Sequence, residues 1–287
     1  MSKRETVAQA VESTAPAAIS TTTHSAWRER ANAELDRVVR LFSTMQLPDL
    51  CAKAIITSPA KPSSKWSMGN QLLMLLAGTD DARGFRQWIE VGRSVSKGAK
   101  AFHILGPVTK KVKSDEEDEF KLVLVGFRAV PVFRCEDTQG PALPAYTPRT
   151  IPPLIEVAER FRMKVQYQQL APGVYGATDH KDRTIFLATE DWDVFFHELA
   201  HALHRSFEPK TGHGQEPEAE TIAQLVAATL ARLYDKPADG FSWNYIAAHA
   251  ASNNPQQVGR MCMRVLDRTK KVLDLIYGVP LAEDQIG

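Results

Sequence analysis

The amino-acid sequence predicts an α+β chain in two parts: a small mixed α+β unit, then a mostly helical unit with a small sheet. Three observations carry that prediction. Apolar residues recur at three- and four-residue spacing in residues 27–45 and repeatedly beyond residue 190, which is the pattern of amphipathic helices. Runs rich in β-branched and aromatic residues gather between residues 101 and 130, as strands require. Between Gly140 and Pro153 stand Pro141, Pro144, Pro148, Pro152 and Pro153, and the domain boundary is placed there. The expected division is 1–24, 25–145 and 150–287.

Residues 1–24 are rich in Ala, Ser and Thr and cannot bury much surface, so a flexible tail is expected. A helix follows, with Trp27, Ala31, Leu35, Val38, Leu41, Phe42 and Met45 on one face; it should stop before Pro48. A short apolar helix is expected over Asn70 to Leu76. Strands fit Ala101 to Leu105, Val108 to Lys113 and Phe120 to Val130, with the acidic run 114–119 as a hairpin loop. Pro131 cannot donate to a ladder, which puts Val132 and Phe133 at an edge or beyond it. Past the boundary, Pro152 and Pro153 can open a helix reaching Arg162. Short strands fit Lys164 to Leu170, Gly173 to Ala177 and Thr184 to Ala188. Helices are expected over 191–203, 218–234, 243–251 and 255–277.

A length of 287 residues allows two substantial cores, and 44% hydrophobic with 24% charged residues is ordinary for a globular chain. With 35 basic against 34 acidic side chains, bulk charge selects no partner; only local patches can. Cys51, Cys135 and Cys262 lie far apart, which reads as reduced thiols and not as a disulfide framework or cysteine zinc cluster. No stretch approaches the roughly 20 apolar residues of a membrane span. The polar start lacks the apolar core of a secretion signal, so a cytoplasmic protein is expected.

The densest chemistry lies in Asp191-Trp-Asp-Val-Phe-Phe-His-Glu-Leu-Ala-His-Ala-Leu-His204. Thr189 is the expected N-cap. His197 and His201, four residues apart, share one helix face where both imidazoles can reach one zinc ion. Glu198 flanks the metal without needing to ligate it, placed to take a proton from a zinc-activated water. A third ligand is required, and Glu216, Glu218 and Glu220 on the next helix are candidates. Glu220 is preferred because Ile222, Leu225 and Val226 can pack its helix against the first; His204 is the rival.

A second concentration is basic. Arg83, Arg86, Arg93, Lys97, Lys100, Lys110, Lys111 and Lys113 are interleaved with Phe85, Trp88, Phe102 and His103. Cations for phosphates beside rings for bases suit single-stranded nucleic acid, although an ordinary solvated face or a lysine-defended edge strand would read the same way. On the nucleic-acid reading Arg93, Lys97 and Lys100 hold phosphates, Trp88 and Phe102 stack, and Trp66 and Asn70 add a platform and a polar contact.

Together the two concentrations resemble the ArdC-type antirestriction proteins. The first half is similar to their single-stranded DNA-binding domain at Trp66, Asn70, Trp88, Gly92, Arg93, Val95, Lys97, Gly98, Lys100, Ile104 and Pro107, extended by Val132, Phe133, Thr138 and Gly140. The second resembles their zincin-like metallopeptidase domain through His197-Glu-Leu-Ala-His201 and Glu220 to Ala223. Departures are Glu136 and Asp137 before Thr138, Ala219 before Glu220, and Gln224 where the family usually has a glutamate. The resemblance implies a protein of mobile-element biology that binds single-stranded DNA and carries zinc. The alternative is a regulatory zinc metallopeptidase that cleaves a protein partner and is recruited to DNA by its basic domain.

Overall fold

The computed structural model describes residues 21–113, 120–147, 154–208, 216–236, 244, 246–248 and 254–278. The expected acidic loop 114–119, most of the expected tail and most of the helix expected over 243–251 lie outside them.

The first helix, α1 (Thr21–Leu41), already includes residues 21–24 and buries the expected stripe of Ala31, Leu35, Val38 and Leu41. It does not run on to Met45. The chain turns, and a helix not expected from the sequence, α2 (Gln46–Ile55), carries Pro48 in its first turn. Proline lacks an N–H that a first turn does not use, so Pro48 ends nothing there. Next come α3 (Met68–Leu76), capped by the Ser67 side chain accepting from the Asn70 N–H, then β1 (Ala82–Arg83), α4 (Phe85–Glu90) and β2 (Ser94–Val95).

Strands β3 (Phe102–Lys113) and β4 (Phe120–Arg134) form one long antiparallel hairpin, running from Phe102↔Val132 to Lys113↔Phe120 with a register shift between Val108 and Thr109. Neither Pro107 nor Pro131 breaks it. Pro131 faces His103 where β4 has only β3 beside it, since β1 pairs with Phe133 and Arg134 alone. A residue without an N–H is tolerated on such an open side. Val132 and Phe133 stay within the strand, Val132 on that open edge with only β3 beside it and Phe133 against β1, and Val132 is buried. The sheet order is β1-β4-β3, and β5 (Thr138–Gln139) pairs separately with β2.

Beyond the proline-rich segment lie α5 (Leu154–Arg160), β6 (Lys164–Tyr167), β7 (Gly176–Asp179) and β8 (Thr184–Leu187). The order is β6-β8-β7, with β6 parallel and β7 antiparallel to β8. Three helices follow: α6 (Trp192–Phe207), α7 (Glu216–Leu233) and α8 (Pro255–Ile276). The N-cap of α6 is Asp191 and not the expected Thr189, which sits two residues earlier and accepts from the Asp191 N–H at 3.2 Å. Asn254 and Gln257 form a reciprocal capping box at the start of α8.

One connected cluster of buried side chains reaches across the proline-rich segment, from Leu35 and Val38 of α1 through Phe196 and Leu199 of α6 to Leu266 and Leu273 of α8. Within it α2 lies against α7, and α1 against α8 and the hairpin. A smaller cluster of Met74, Ala82, Ile104 and Val132 sits under β1 and the hairpin base. The architecture is α+β, as expected, and no described helix is long and apolar enough to cross a membrane.

Candidate metal centre and the basic segment

Helix α6 buries Phe196, Leu199, Ala200 and Leu203, which fixes its rotation and turns His197 and His201 toward α7. Ile222, Ala223, Leu225 and Val226 of α7 are buried in turn, and that packing brings Glu220 to the two imidazoles. The His197 and His201 Nε2 atoms stand 3.0 Å apart. His197 Nε2 lies 3.2 Å from one Glu220 carboxylate oxygen, and His201 Nε2 lies 3.0 Å from the other.

This donor set fits a divalent ion. Bonds of about 2.05 Å in a tetrahedral site put ligand atoms roughly 3.3 Å apart, near the 3.0 Å between the two imidazoles, and each Nε2 meets its own Glu220 oxygen at a similar distance. The three residues also form a group of candidate ligands on geometric grounds. Without an ion the same atoms can share only protons. Hydrogen bonds from His197 and His201 hold the Glu220 carboxyl well below the usual carboxylate range. Burial disfavours charging of His197, yet its hydrogen bond to Glu220 and the nearby carboxylates outweigh this and raise its pKa. A metal ion would take the place of those protons.

Glu198 is 9% exposed, and one carboxylate oxygen accepts from the Thr178 hydroxyl at 2.7 Å. Thr178 lies on β7, two residues after Gly176, whose absent side chain permits the contact. A Cβ there would stand 2.6 Å from Val194 Cγ1 and 2.8 Å from Glu198 Cγ. Sequence reasoning missed both residues. Their signal is a glycine in a strand, which marks close approach, with a threonine on the same strand face.

The other candidate ligands are engaged elsewhere. His204 is buried and its Nε2 lies 2.8 Å from Glu208, which also accepts from Arg268 of α8 at 2.7 Å. Glu218 accepts two bonds from Arg264, at 2.6 and 2.7 Å. The Glu216 side chain lies outside the described residues.

The basic segment is ordered differently. Trp88 is 0% exposed; its indole N–H donates to the Phe133 carbonyl at 3.1 Å, and the Arg83 guanidinium lies 4.9 Å from its ring centre. Arg83 is itself buried, held by the Asp81 carboxylate at 3.1 Å and by the Tyr146 hydroxyl at 2.8 Å. Arg93 donates to the Thr138 hydroxyl at 2.8 Å, the Thr138 carbonyl at 2.9 Å and the Pro141 carbonyl at 2.5 Å. Phe102 is half-buried against the smaller core cluster, as is Trp66. Asn70 clamps α3 to β3, donating to the Leu105 carbonyl at 2.9 Å and accepting from its N–H at 2.8 Å. Asp137, near the expected DNA surface, is paired with Arg134 at 2.7 Å. Of the five expected DNA-binding residues only Lys97 and Lys100 are fully at the surface.

The sequence matches no family model and no curated protein. The fold does have counterparts among solved structures. It superposes on the metal-free crystal structure of the antirestriction ArdC protein from plasmid R388 with a TM-score of 0.51 and 15% identity, over 86% of this chain and 96% of that one. The Mn(II)-bound structure of the same protein gives a TM-score of 0.50 and 15% identity, over 87% and 97%. Across most of its length, this chain has an ArdC-type fold.

Proposed function

We propose that this protein is an antirestriction-type protein of mobile-element biology that binds single-stranded DNA in the cytoplasm and holds a zinc ion on His197, His201 and Glu220. The observation that carries the reading is the convergence of those three donors within a fold that follows an antirestriction protein over nearly its whole length. Two imidazoles and one carboxylate suit zinc, and such a set also accepts manganese or iron, in keeping with the Mn(II) in the similar structure. A bound ion supplies Lewis acidity. Of the chain's own residues, Glu198 is the carboxylate beside the centre, and Thr178 orients it.

Of the three cations expected to hold phosphates, Lys97 and Lys100 are the exposed ones and take that role here; Arg93 shapes the corner that presents them. The test is entry of an unmodified conjugative plasmid into a restricting host with and without this protein. Raised establishment, lost on double replacement of His197 and His201 by Ala or on substitution of the DNA-binding cations, is the expected result. Equal establishment with and without the protein would overturn the reading. Glu198→Gln separates the metallopeptidase alternative: that reading requires loss of protection with metal and DNA binding intact.

A further inference from the structure

A groove of about 700 Å³ runs between α1, the middle of the β3–β4 hairpin and the start of α8. Its lining includes Trp27, Arg28 and Asn32 from α1, Arg128 from β4, and Gln256 and Arg260 from α8. Among the described residues no acidic side chain lines it. Among the described residues none of the three arginines has an ion-pair or side-chain hydrogen-bond partner. Arg83, Arg264 and Arg268, by contrast, are held by Asp81, Glu218 and Glu208. Three uncompensated guanidinium groups around one concavity repel each other unless an anion joins them.

We infer that this groove is a binding site for a phosphodiester strand, seating one or two nucleotides of single-stranded DNA. Arginine's planar fork grips phosphate oxygens in pairs and also stacks on bases. Trp27, also in the lining, is 39% exposed and offers a ring for stacking. Asn32 and Gln256 carry amides able to bond base edges.

The site exists because two ends of the sequence meet. Gly259 stands where a Cβ would come within 2.2 Å of Leu35 Cδ2, so only glycine lets α8 lie this close to α1. Glycine inside a helix costs about 1 kcal/mol relative to Ala, and the close crossing it permits delivers Arg260 beside Arg28. The hairpin contributes at its irregular point: Val108 pairs with Gly126 and Thr109 with Leu124, which bulges β4 at Val125 and increases local twist.

This inference rests on the single-strand reading above and gives it a second surface, distinct from Lys97 and Lys100. The experiment is fluorescence anisotropy on the full chain with a labelled oligothymidylate about 12 nucleotides long. Titrations run at several salt concentrations, for the native protein, R28Q/R128Q/R260Q and K97Q/K100Q, with thermal melts to confirm folding. The groove variant should bind at least about 30-fold more weakly, and its salt slope should flatten by about 2, roughly 0.7 for each lost phosphate contact. Trp27→Leu, which keeps all three cations, should weaken binding about 5- to 100-fold through lost stacking. Native-like affinity and slope in the groove variant, with weakening in K97Q/K100Q, would overturn the groove and leave the single-strand reading standing. A native protein that does not bind the oligonucleotide overturns both. Displacement of the oligonucleotide by an equal concentration of inorganic phosphate would show a simple anion site and overturn the strand as ligand.

Discussion

The α6–α7 centre and the corner around Trp88 are each built from polar groups brought together from separate segments, yet they end in opposite electrostatic conditions. At the corner every strong donor is used. Arg93 is spent on Thr138 and Pro141, the Trp88 N–H on Phe133, and Arg83 on Asp81 and Tyr146. At the centre, His197, His201 and Glu220 aim three lone-pair-bearing atoms at one another, which no arrangement of protons satisfies as well as a cation does. Saturated donors build structure, whereas converging unsaturated ones invite a ligand. The groove at Arg28, Arg128 and Arg260 is the same condition with the sign reversed.

The largest effect is expected at the histidines. Replacing His197 and His201 together by alanine should take bound metal from about one ion per chain to none, read by elemental analysis after loading with zinc or manganese. Arg93→Ala should leave metal content unchanged. Next in size, Trp88→Ala should cost about 3–5 kcal/mol in denaturant unfolding, the cost of emptying a fully buried ring site. A stability close to native would mean the ring is free to serve a ligand instead. Gly176→Ala, which thrusts a methyl group against Val194 and Glu198, should cost about 1–3 kcal/mol in the same unfolding measurement; native-like stability would show that the two side chains give way freely to the added methyl group.

The smallest effect is one of pH. Its hydrogen bond with His204, with Arg268 adding to it, pulls the Glu208 carboxyl down to about 2 from an ordinary 4.5. A lowered folded-state pKa adds stability that is complete above the ordinary value and is lost as pH falls from 4.5 toward 2. The pair is partly exposed and screened by solvent, so Glu208→Gln should remove about 1 kcal/mol or less of that acid sensitivity. Acid unfolding curves that superimpose would assign the acid limb to other carboxylates.

How much of this was legible in the sequence depended on the range of the interaction. A four-residue spacing on a helix fixes which side chains share a face, so His197 and His201 could be placed from the string alone, and Glu220 followed from the apolar pattern of α7. Residue type does not reveal burial. Trp88 and Phe102 read as stacking rings, but one is in the core and the other half in it. Arg93 read as a phosphate clamp, but its partners lie 45 residues and more along the chain. Pro48 and Pro131 misled for a related reason: a missing N–H matters only where a partner waits for it, and that is decided by neighbours the local sequence does not name. The groove arginines come from three distant segments and form no motif at all.

The crossing of α1 and α8 also has a history in time. Leu35 and Gly259 touch in the finished molecule, yet a ribosome adding about 5–20 residues per second makes them roughly ten to fifty seconds apart. Throughout that interval the apolar stripe of α1 has no α8 to cover it, so the nascent chain must shelter it by other means. A stop codon placed before Gly259 should therefore yield chaperone-bound or degraded product in cells, even with His197, His201 and Glu220 already translated.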